Sequence, residues 1–517
     1  MFFHNLSLTR SFYIFGSAGH EEGFMDVPMI STAEKYIRIL SKKGMKIVTN
    51  TDHFFNAIID IYASLMQGLP RNKKRLVSNL YHLLLDKIKY LTETLEKDFN
   101  LPLVKSASHL IIGTGIQSSL TFLFWIIAAR MFETTTIGLT SALLSVLSVF
   151  AIIAELGFGM GLIRFLPGAG NKENALINTC FTLSSVFSSL LAILFIIGLP
   201  FWGQSFIPLF SSPIFSFLFI IFSIFLTLFP LLMAIFLGKR MTKLIVYSTS
   251  ITCLTRIGFL LVIIFFSQSV FSLFFISFLS TFVGLFIAIF IFLPQVMPSY
   301  RLFPTIHVGL LMDIRNFTAI NYISRLILLI TPLILPLMIV NILGSEMNAY
   351  FAISWTIVAI GQVIPTSIFN SFLAESVNEK KLNKKNFKKV LIMMLGLLIP
   401  FTILLIVLSP FILSFFGPTY ADQGTVLVRI LALSLIPWGI IYLFITVERY
   451  KKSSISIIYA TLLSAVLSIG LSYLLMLNWG LLGLGIGYLT GQIIVAIIVG
   501  ILMWRMMNQD QLGKIDS

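Results

Sequence analysis

Charged residues are scarce in this 517-residue sequence. Asp, Glu, Lys and Arg make up 11% of it, whereas 57% of its residues are hydrophobic. Soluble globular proteins carry about 25% charged residues. The shortage excludes an ordinary soluble domain and indicates a chain that crosses a membrane several times.

Cysteine and histidine are also rare. Cys180 and Cys253 lie inside apolar segments, which is typical of small buried side chains and not of a disulfide or a metal site. The six histidines include no HExxH motif, and the chain has no GxxxxGKS/T phosphate-binding loop. We therefore expect no metal, no cofactor and no enzymatic activity.

Long apolar runs are what the sequence has in abundance. A spanning helix needs about 20 apolar residues, and such runs are too long and continuous for the strands of a membrane barrel. The predicted fold is an all-α polytopic membrane protein with about twelve transmembrane helices in two six-helix lobes. The predicted spans are 107–129, 137–159, 179–202, 212–237, 244–267, 270–294, 317–341, 348–373, 390–416, 424–447, 455–476 and 481–504.

The placement of Lys and Arg predicts the orientation. With both termini in the cytoplasm, the basic residues fall in the inner loops, and the short outer loops such as FETTT and LNWG contain no Lys or Arg. This arrangement also explains the net charge of +15, because the charge faces the anionic inner leaflet. Nucleic-acid binding is therefore not expected, and the predicted location is the cytoplasmic membrane.

The domain organisation follows from the same pattern. We predict a cytoplasmic extension (1–106), a first lobe (107–294), a cytoplasmic loop (295–316), a second lobe (317–505) and a cytoplasmic tail (506–517). Leucines and isoleucines between 76 and 95 recur at helical spacing, which predicts an amphipathic helix within the extension.

Several Glu and Arg residues lie in or at the ends of predicted spans, and one of them, Arg429, lies near the outer end of its span, where it can reach the lipid headgroups. Charges inside a membrane are costly, about 2.5–3.5 kcal/mol on insertion scales, and usually face a cavity. Arg256 and Arg325 lie deep, and each either pairs with Glu155 or lines a water-filled cavity. Two arginines against one carboxylate predict a net positive cavity, which suits a phosphate or pyrophosphate group. Arg130 and Arg164 lie at helix ends, where they either reach the lipid headgroups or assist at the inner mouth of that cavity.

The stretch ELGFGMGLIRFLP places three glycines beside two of these charges. Gly157, Gly159 and Gly161 allow a helix end to bend or another backbone to come close. Glu155 and Arg164 are nine residues apart, so in a straight helix they point to opposite faces. The stretch is interpreted as the inner mouth of a cavity.

Two segments resemble the start of a known family. Residues 108–132 and 134–167 are similar to the polysaccharide-biosynthesis flippases, which include the O-antigen flippases of the multidrug/oligosaccharidyl-lipid/polysaccharide (MOP) exporter superfamily. NWGLLGLGIGYLTGQ (478–492) resembles the segment before the last helix of that family. The extension 1–106 is a departure, because family members usually begin near the first helix. The matching positions are Ala129, Arg130, Gly138, Gly157, Gly159 and Arg164.

The resemblance implies translocation of a polyprenyl-linked oligosaccharide across the cytoplasmic membrane by alternating access of two MATE-like lobes. The implied partners are a polyprenyl-phosphate- or pyrophosphate-linked glycan, membrane lipids and glycan-assembly enzymes, and the chain is expected to be a monomer. Arg325 and Arg256 are expected to contact the head group, with Arg130 and Arg164 at the inner mouth. Glu155 is expected to pair with an arginine or to carry a coupling ion or proton.

Three alternatives stay open on the sequence alone. The first is an ion-coupled multidrug exporter of the same superfamily, whose cavity is expected to expose acids. The second is a membrane glycosyltransferase or polymerase, for which only Glu133, Glu346 and Asp422 are available in outer loops. The third is a peptidoglycan-precursor flippase, which usually has fourteen helices.

Overall fold

The structure is a computed structural model, and every regular element that it describes is a helix. The described residues are 102–307, 309–310, 322–323, 326–327, 331, 333–378, 384–451 and 453–508. The predicted extension helix and Arg325 lie outside these ranges.

The first half of the described chain contains seven labelled helices. After α7 the chain continues through a π-helical turn at Ala288–Phe292 and a last helical turn at Leu293–Val296. The seven are α1 (Pro102–Met131), α2 (Thr134–Ala154), α3 (Phe158–Phe165), α4 (Glu173–Trp202), α5 (Pro213–Gly238), α6 (Thr242–Ile263) and α7 (Val270–Ile287).

The second half contains six more helices. They are α8 (Leu333–Ile342), α9 (Ser345–Asn378), α10 (Lys384–Ser414), α11 (Pro418–Leu433), α12 (Leu435–Lys451) and α13 (Ser454–Asn508). Gly480 interrupts α13 with φ 57° and ψ −140°, so its two arms correspond to two predicted spans.

Most predicted spans appear as helices. Within the described residues, nine helices are long and apolar enough to cross a membrane, and one of them contains both arms of α13. The described part of the chain is therefore all-helical, and the protein is a multi-pass membrane protein. The predicted span 424–447 is two helices that meet at Ser434. The predicted span 137–159 is wrong at its end, because α2 stops at Ala154 and a break separates it from α3.

Glycine explains how the two arms of α13 approach each other. A Cβ on Gly487 would collide with the backbone carbonyl of Leu471, and one on Gly491 would lie 2.8 Å from Ser468 Cα. Small residues four apart allow helix backbones in membranes to pack closely. The glycine-rich start of the last span therefore forms one side of a tight helical hairpin.

The two halves contact each other where α2 and α9 begin, and Tyr322 Oη also donates to Ile153 O (2.7 Å) near the other end of α2. We call the side where α2 and α9 begin the Glu133 end, after the residue between α1 and α2, and the opposite side the Arg164 end. At the Glu133 end Asn348 is fully buried, and its Nδ2 donates to Gly138 O (2.8 Å) and to Ser141 Oγ (3.0 Å). A Cβ on Gly138 would overlap the carbonyl of Ser345, so glycine permits this contact.

Candidate functional site

The break between α2 and α3 is made by two residues with left-handed backbone. Leu156 has φ 51° and Gly157 has φ 76°. Glycine adopts this conformation readily, whereas an L-residue such as leucine pays about 1–2 kcal/mol for it. The break turns the chain out of the α2 axis, so the segment 158–165 starts a new helix.

Glu155 sits at this break and is buried, with 5% of its surface exposed. A Cβ on Gly159 would collide with Glu155 Oε1, so the missing side chain at 159 provides the space for the carboxylate. Gly159 thus leaves room for the Glu155 carboxylate, and Gly157 allows the left-handed backbone turn. A buried carboxylate inside a membrane protein is a candidate functional residue.

Arg256 lies on α6, where it packs against α1 and α7. Its Nη2 donates to Ser277 Oγ at 2.9 Å, and its Cζ lies 4.0 Å from the ring centroid of Phe124 and 5.7 Å from that of Trp125. Its Nε is buried and has no hydrogen-bond partner. Two aromatic faces and one hydroxyl therefore hold the guanidinium, and one of its donors stays unused.

Arg130 lies at the Glu133 end, which corrects the expectation that it assists at the same mouth as Arg164. Its Nε donates to Phe415 O at 2.8 Å, and its Nη2 donates to Ser414 O. These carbonyls belong to the last residue of α10 and to the residue that follows it. A cation is favourable there because the end of the helix carries the negative end of the helix dipole. Arg130 thus joins the first helix to the second half.

Arg164 lies at the opposite end. It is exposed at the C-terminus of α3, with its Cζ 5.5 Å from the ring centroid of Phe165. The 21 residues of α2 separate it from Arg130, about 30 Å at 1.5 Å per residue. The two arginines therefore serve different sides of the membrane.

The middle of α1 exposes a polar stretch. Six consecutive residues from 114 to 119 are exposed, and they include Thr114, Gln117, Ser118 and Ser119. Six residues cover more than one full turn of helix, so this part of α1 is exposed on all of its sides. The stretch begins about three turns before Phe124, the residue whose ring packs against Arg256.

A pocket of about 380 Å³ lies inside the second half. Its wall contains two tryptophans and two tyrosines together with amide and hydroxyl side chains, from α9, α12 and both arms of α13. None of the described residues that line it is Asp, Glu, Lys, Arg or His. The polar and aromatic lining residues are Thr331, Trp355, Gln362, Thr366, Trp438, Tyr442, Thr461, Ser464, Tyr488 and Gln492.

The sequence pattern pointed to Glu155 and Arg256, whose roles as site residues stay predictions, but it gave no indication of this pocket. Charges in apolar runs are conspicuous in a sequence, and the described lining of the pocket contains none. Its aromatic and amide residues are spread over more than 130 positions from Trp355 to Gln492. An aromatic side chain in a membrane helix is ordinary on its own, so only the packing of helices brings these residues together.

The comparisons with solved structures define the class of fold. An inward-facing multidrug-resistance MATE transporter of the MOP superfamily superposes with a TM-score of 0.59 at 15% identity, covering 80% of this chain and 100% of that one. An outward-facing form gives a TM-score of 0.53 at 15% identity, with 80% and 96% covered. A MOP transporter from Pyrococcus furiosus, described as having "reverse polarity of binding pocket", gives the same four values. The chain has the fold of MATE-like membrane transporters.

The sequence then gives the family. The model of the family described as "Polysaccharide biosynthesis protein" matches residues 103–371, which is more than half of the chain. This chain belongs to that family. No curated protein sequence matches it significantly.

Proposed function

We propose that this protein moves a polyprenyl-linked oligosaccharide across the cell membrane by alternating access of its two halves. Membership of a polysaccharide-biosynthesis family supports a glycan precursor as the substrate. The fold, which inward- and outward-facing transporters share, supports a transport cycle of this kind.

The main support for this proposal is a difference between the end and the middle of α1. At its C-terminal end the helix is tied to the second half through Arg130, whereas its middle exposes Gln117 and three hydroxyl side chains. An amide facing hydrocarbon without a partner costs about 1–3 kcal/mol by mutational measures. We therefore place these side chains on a water-filled opening that is sealed at the Glu133 end.

The orientation of this opening follows from the basic residues. Lys239, Arg240 and Arg449 lie at the Arg164 end, with Lys239 paired to Glu173. Basic loops remain in the cytoplasm. The sealed Glu133 end then faces outside, and the substrate enters the opening from the cytoplasmic leaflet.

The chemistry of a lipid-linked glycan matches this arrangement. Its phosphate or pyrophosphate is an anion, its sugars are polar, and its hydrocarbon chain is stable in the bilayer. We assign the anion to Arg256, whose Nε has no partner, and to Arg325. The described pocket carries no carboxylate for a cationic drug, which favours this substrate over a multidrug-exporter role. The MATE-like fold supports transport over the glycosyltransferase and polymerase alternatives.

Flipping in proteoliposomes tests the proposal. A fluorescent polyprenyl-pyrophosphate oligosaccharide is placed in both leaflets, and a membrane-impermeant reductant quenches the outer one. We expect the full chain to make the inner pool accessible, and protein-free vesicles to protect it. Transport of an organic cation such as ethidium without movement of the glycolipid would contradict the proposal.

A further inference from the structure

The pocket in the second half lies at mid-membrane depth. Trp355 is the eleventh residue of α9, which puts it about 15 Å from the Glu133 end at 1.5 Å per residue. The hydrocarbon core is about 30 Å thick. A group that crosses the membrane through the protein therefore passes this depth.

Aromatic rings form two separate faces of the pocket. The rings of Trp355 and Tyr488 meet edge to face at 5.3 Å and 84°, whereas those of Trp438 and Tyr442 stack at 5.2 Å and 19°. Paired rings hold each other in fixed orientations. The pocket therefore offers rigid, flat apolar surfaces with polar edges.

A buried amide supplies an unused acceptor. Gln492 is only 2% exposed, and its Nε2 donates to Ser464 Oγ at 3.1 Å and to Ser468 Oγ at 3.0 Å. Its Oε1 is buried and has no hydrogen-bond partner. A buried acceptor without a donor costs about 1–3 kcal/mol, and a hydroxyl or amide N–H brought by a ligand removes that cost.

Fixed charge beside the pocket disfavours a cation. The Cζ of Arg449 lies 5.7 Å from the ring centroid of Tyr442, so a guanidinium lies beside one ring of the pocket lining. Organic cations bind aromatic cages through the ring faces, and a positive charge nearby repels them. A phosphate is equally unsuited, because the described lining contains no cationic donor.

We infer that this pocket binds one uncharged sugar unit of the transported molecule, an assignment that rests on the proposed function. A pyranose ring has apolar C–H faces that fit flat aromatic rings and hydroxyls that fit amide and hydroxyl side chains. The 380 Å³ volume is at the lower end of the roughly 300–1,000 Å³ of ligand pockets, so it holds a single ring in preference to a whole oligosaccharide. The glycan thus binds in the second half, while Arg256 of the first half contacts the phosphate.

Binding of paired probes tests the inference. The probes are farnesyl diphosphate and the same lipid carrying one hexose, one N-acetylhexosamine or one deoxyhexose, titrated into the purified full chain. We expect at least one glycosylated form to bind about tenfold more tightly than the bare lipid. Trp438→Leu and Gln362→Met are expected to abolish that difference and to leave the affinity for the bare lipid unchanged.

Matched variants control for unfolding. Trp479→Leu changes a tryptophan that is 61% exposed, and Gln204→Met changes an exposed glutamine at the Glu133 end. Both are expected to keep the difference between glycosylated and bare lipid. If pocket and control variants lose affinity alike, or if the pocket variants weaken both lipids equally, the assignment is overturned.

Free sugars separate this inference from the proposed function. Saturation-transfer NMR with the same monosaccharides at millimolar concentration reports contact without a lipid. If no lipid-linked probe is bound or flipped but a sugar signal depends on Trp438, the sugar pocket stands and the flippase proposal fails. If lipid-linked glycans are flipped, but neither free nor lipid-linked sugars lose binding in the pocket variants, the flippase proposal stands and the sugar pocket is overturned.

Discussion

The second spanning helix of each half begins at the same junction but has a different course. In the first half, α2 ends at Ala154, and two left-handed residues beside the buried Glu155 lead into α3. In the second half, α9 continues without a break over 34 residues and carries Trp355 and Gln362 into the pocket. One helix thus ends at a charge, and its counterpart exposes neutral groups.

This difference teaches that the halves share an architecture but not an interior chemistry. Glu155 and Arg256 bring charge into the first half, whereas the second-half pocket is aromatic and amide-lined. The second half also buries the ion pair of Glu448 and Lys451, but this pair lies at the Arg164 end of α12 and does not line the pocket. A lipid-linked glycan also has a charged part and a neutral part. We therefore propose that the charged site of the first half and the neutral pocket of the second half match the charged and neutral parts of this substrate.

The largest effect is expected where the two helices meet. Gly138→Val places a side chain against the Ser345 carbonyl, and overpacking costs about 1–3 kcal/mol. At the upper end this cost shifts the equilibrium for closing the Glu133 end by about 150-fold. We expect flipping to fall by that order. Spin labels at positions 204 and 342, both at the Glu133 end, are expected to move apart.

The control for this variant is Gly500→Val, because a Cβ at Gly500 meets open space. It is expected to leave flipping and the label distance unchanged. Equal activity of the two variants would mean that the halves do not need to meet at Gly138 during transport.

Arg256→Met sharpens the division of roles. Hydrogen bonds to charged groups contribute about 1.5–3 kcal/mol, so we expect a loss of about 10- to 150-fold in affinity for farnesyl diphosphate. The loss is expected to be the same with and without a sugar, unlike that of the pocket variants. Arg505→Met, at the end of α13, is the matched control. A loss confined to the glycosylated lipid would reverse the proposed assignment of the halves.

Much of the fold was predictable from sequence because hydropathy is a local property. The spans 212–237 and 270–294 match helices that occupy Pro213–Gly238 and Val270–Val296. The break after Ala154 was not placed, since an apolar run reads the same whether it is straight or interrupted. The glycines suggested a bend there, but its position depends on which residue adopts positive φ.

The candidate site was predictable only in part. Charges stand out against apolar sequence, so Glu155 and Arg256 were identified, but the partners of Arg256 were not. Neither a cation over the Phe124 ring nor a bond to Ser277 has a signature in sequence, because both depend on how α1, α6 and α7 pack. The neutral pocket had no local signal at all.

Glu155→Gln tests whether charge in the first half has a coupling role. The amide is isosteric, so the fold is expected to persist, while a site that must release a proton or bind a cation is lost. Coupling energies are about 1–3 kcal/mol, and we expect gradient-driven flipping to fall about tenfold while exchange without a gradient continues. Glu173→Gln, which breaks the surface pair with Lys239, is the control. Loss of exchange as well would indicate a structural role for Glu155.

The smallest effect concerns the backbone that separates α2 from α9. Gly157 has φ 76°, and an alanine there costs about 1–2 kcal/mol because its Cβ crowds the following carbonyl. Gly396 lies inside α10 with open space around it, so Gly396→Ala is expected to stabilise the helix by about 0.5–1 kcal/mol. Thermal unfolding in detergent is thus expected to shift by a few degrees, downwards for Gly157→Ala and upwards for Gly396→Ala. An upward shift for both variants would mean that position 157 accepts ordinary helical backbone, so that α2 could continue as α9 does. The contrast between the two helices would then lose its physical basis.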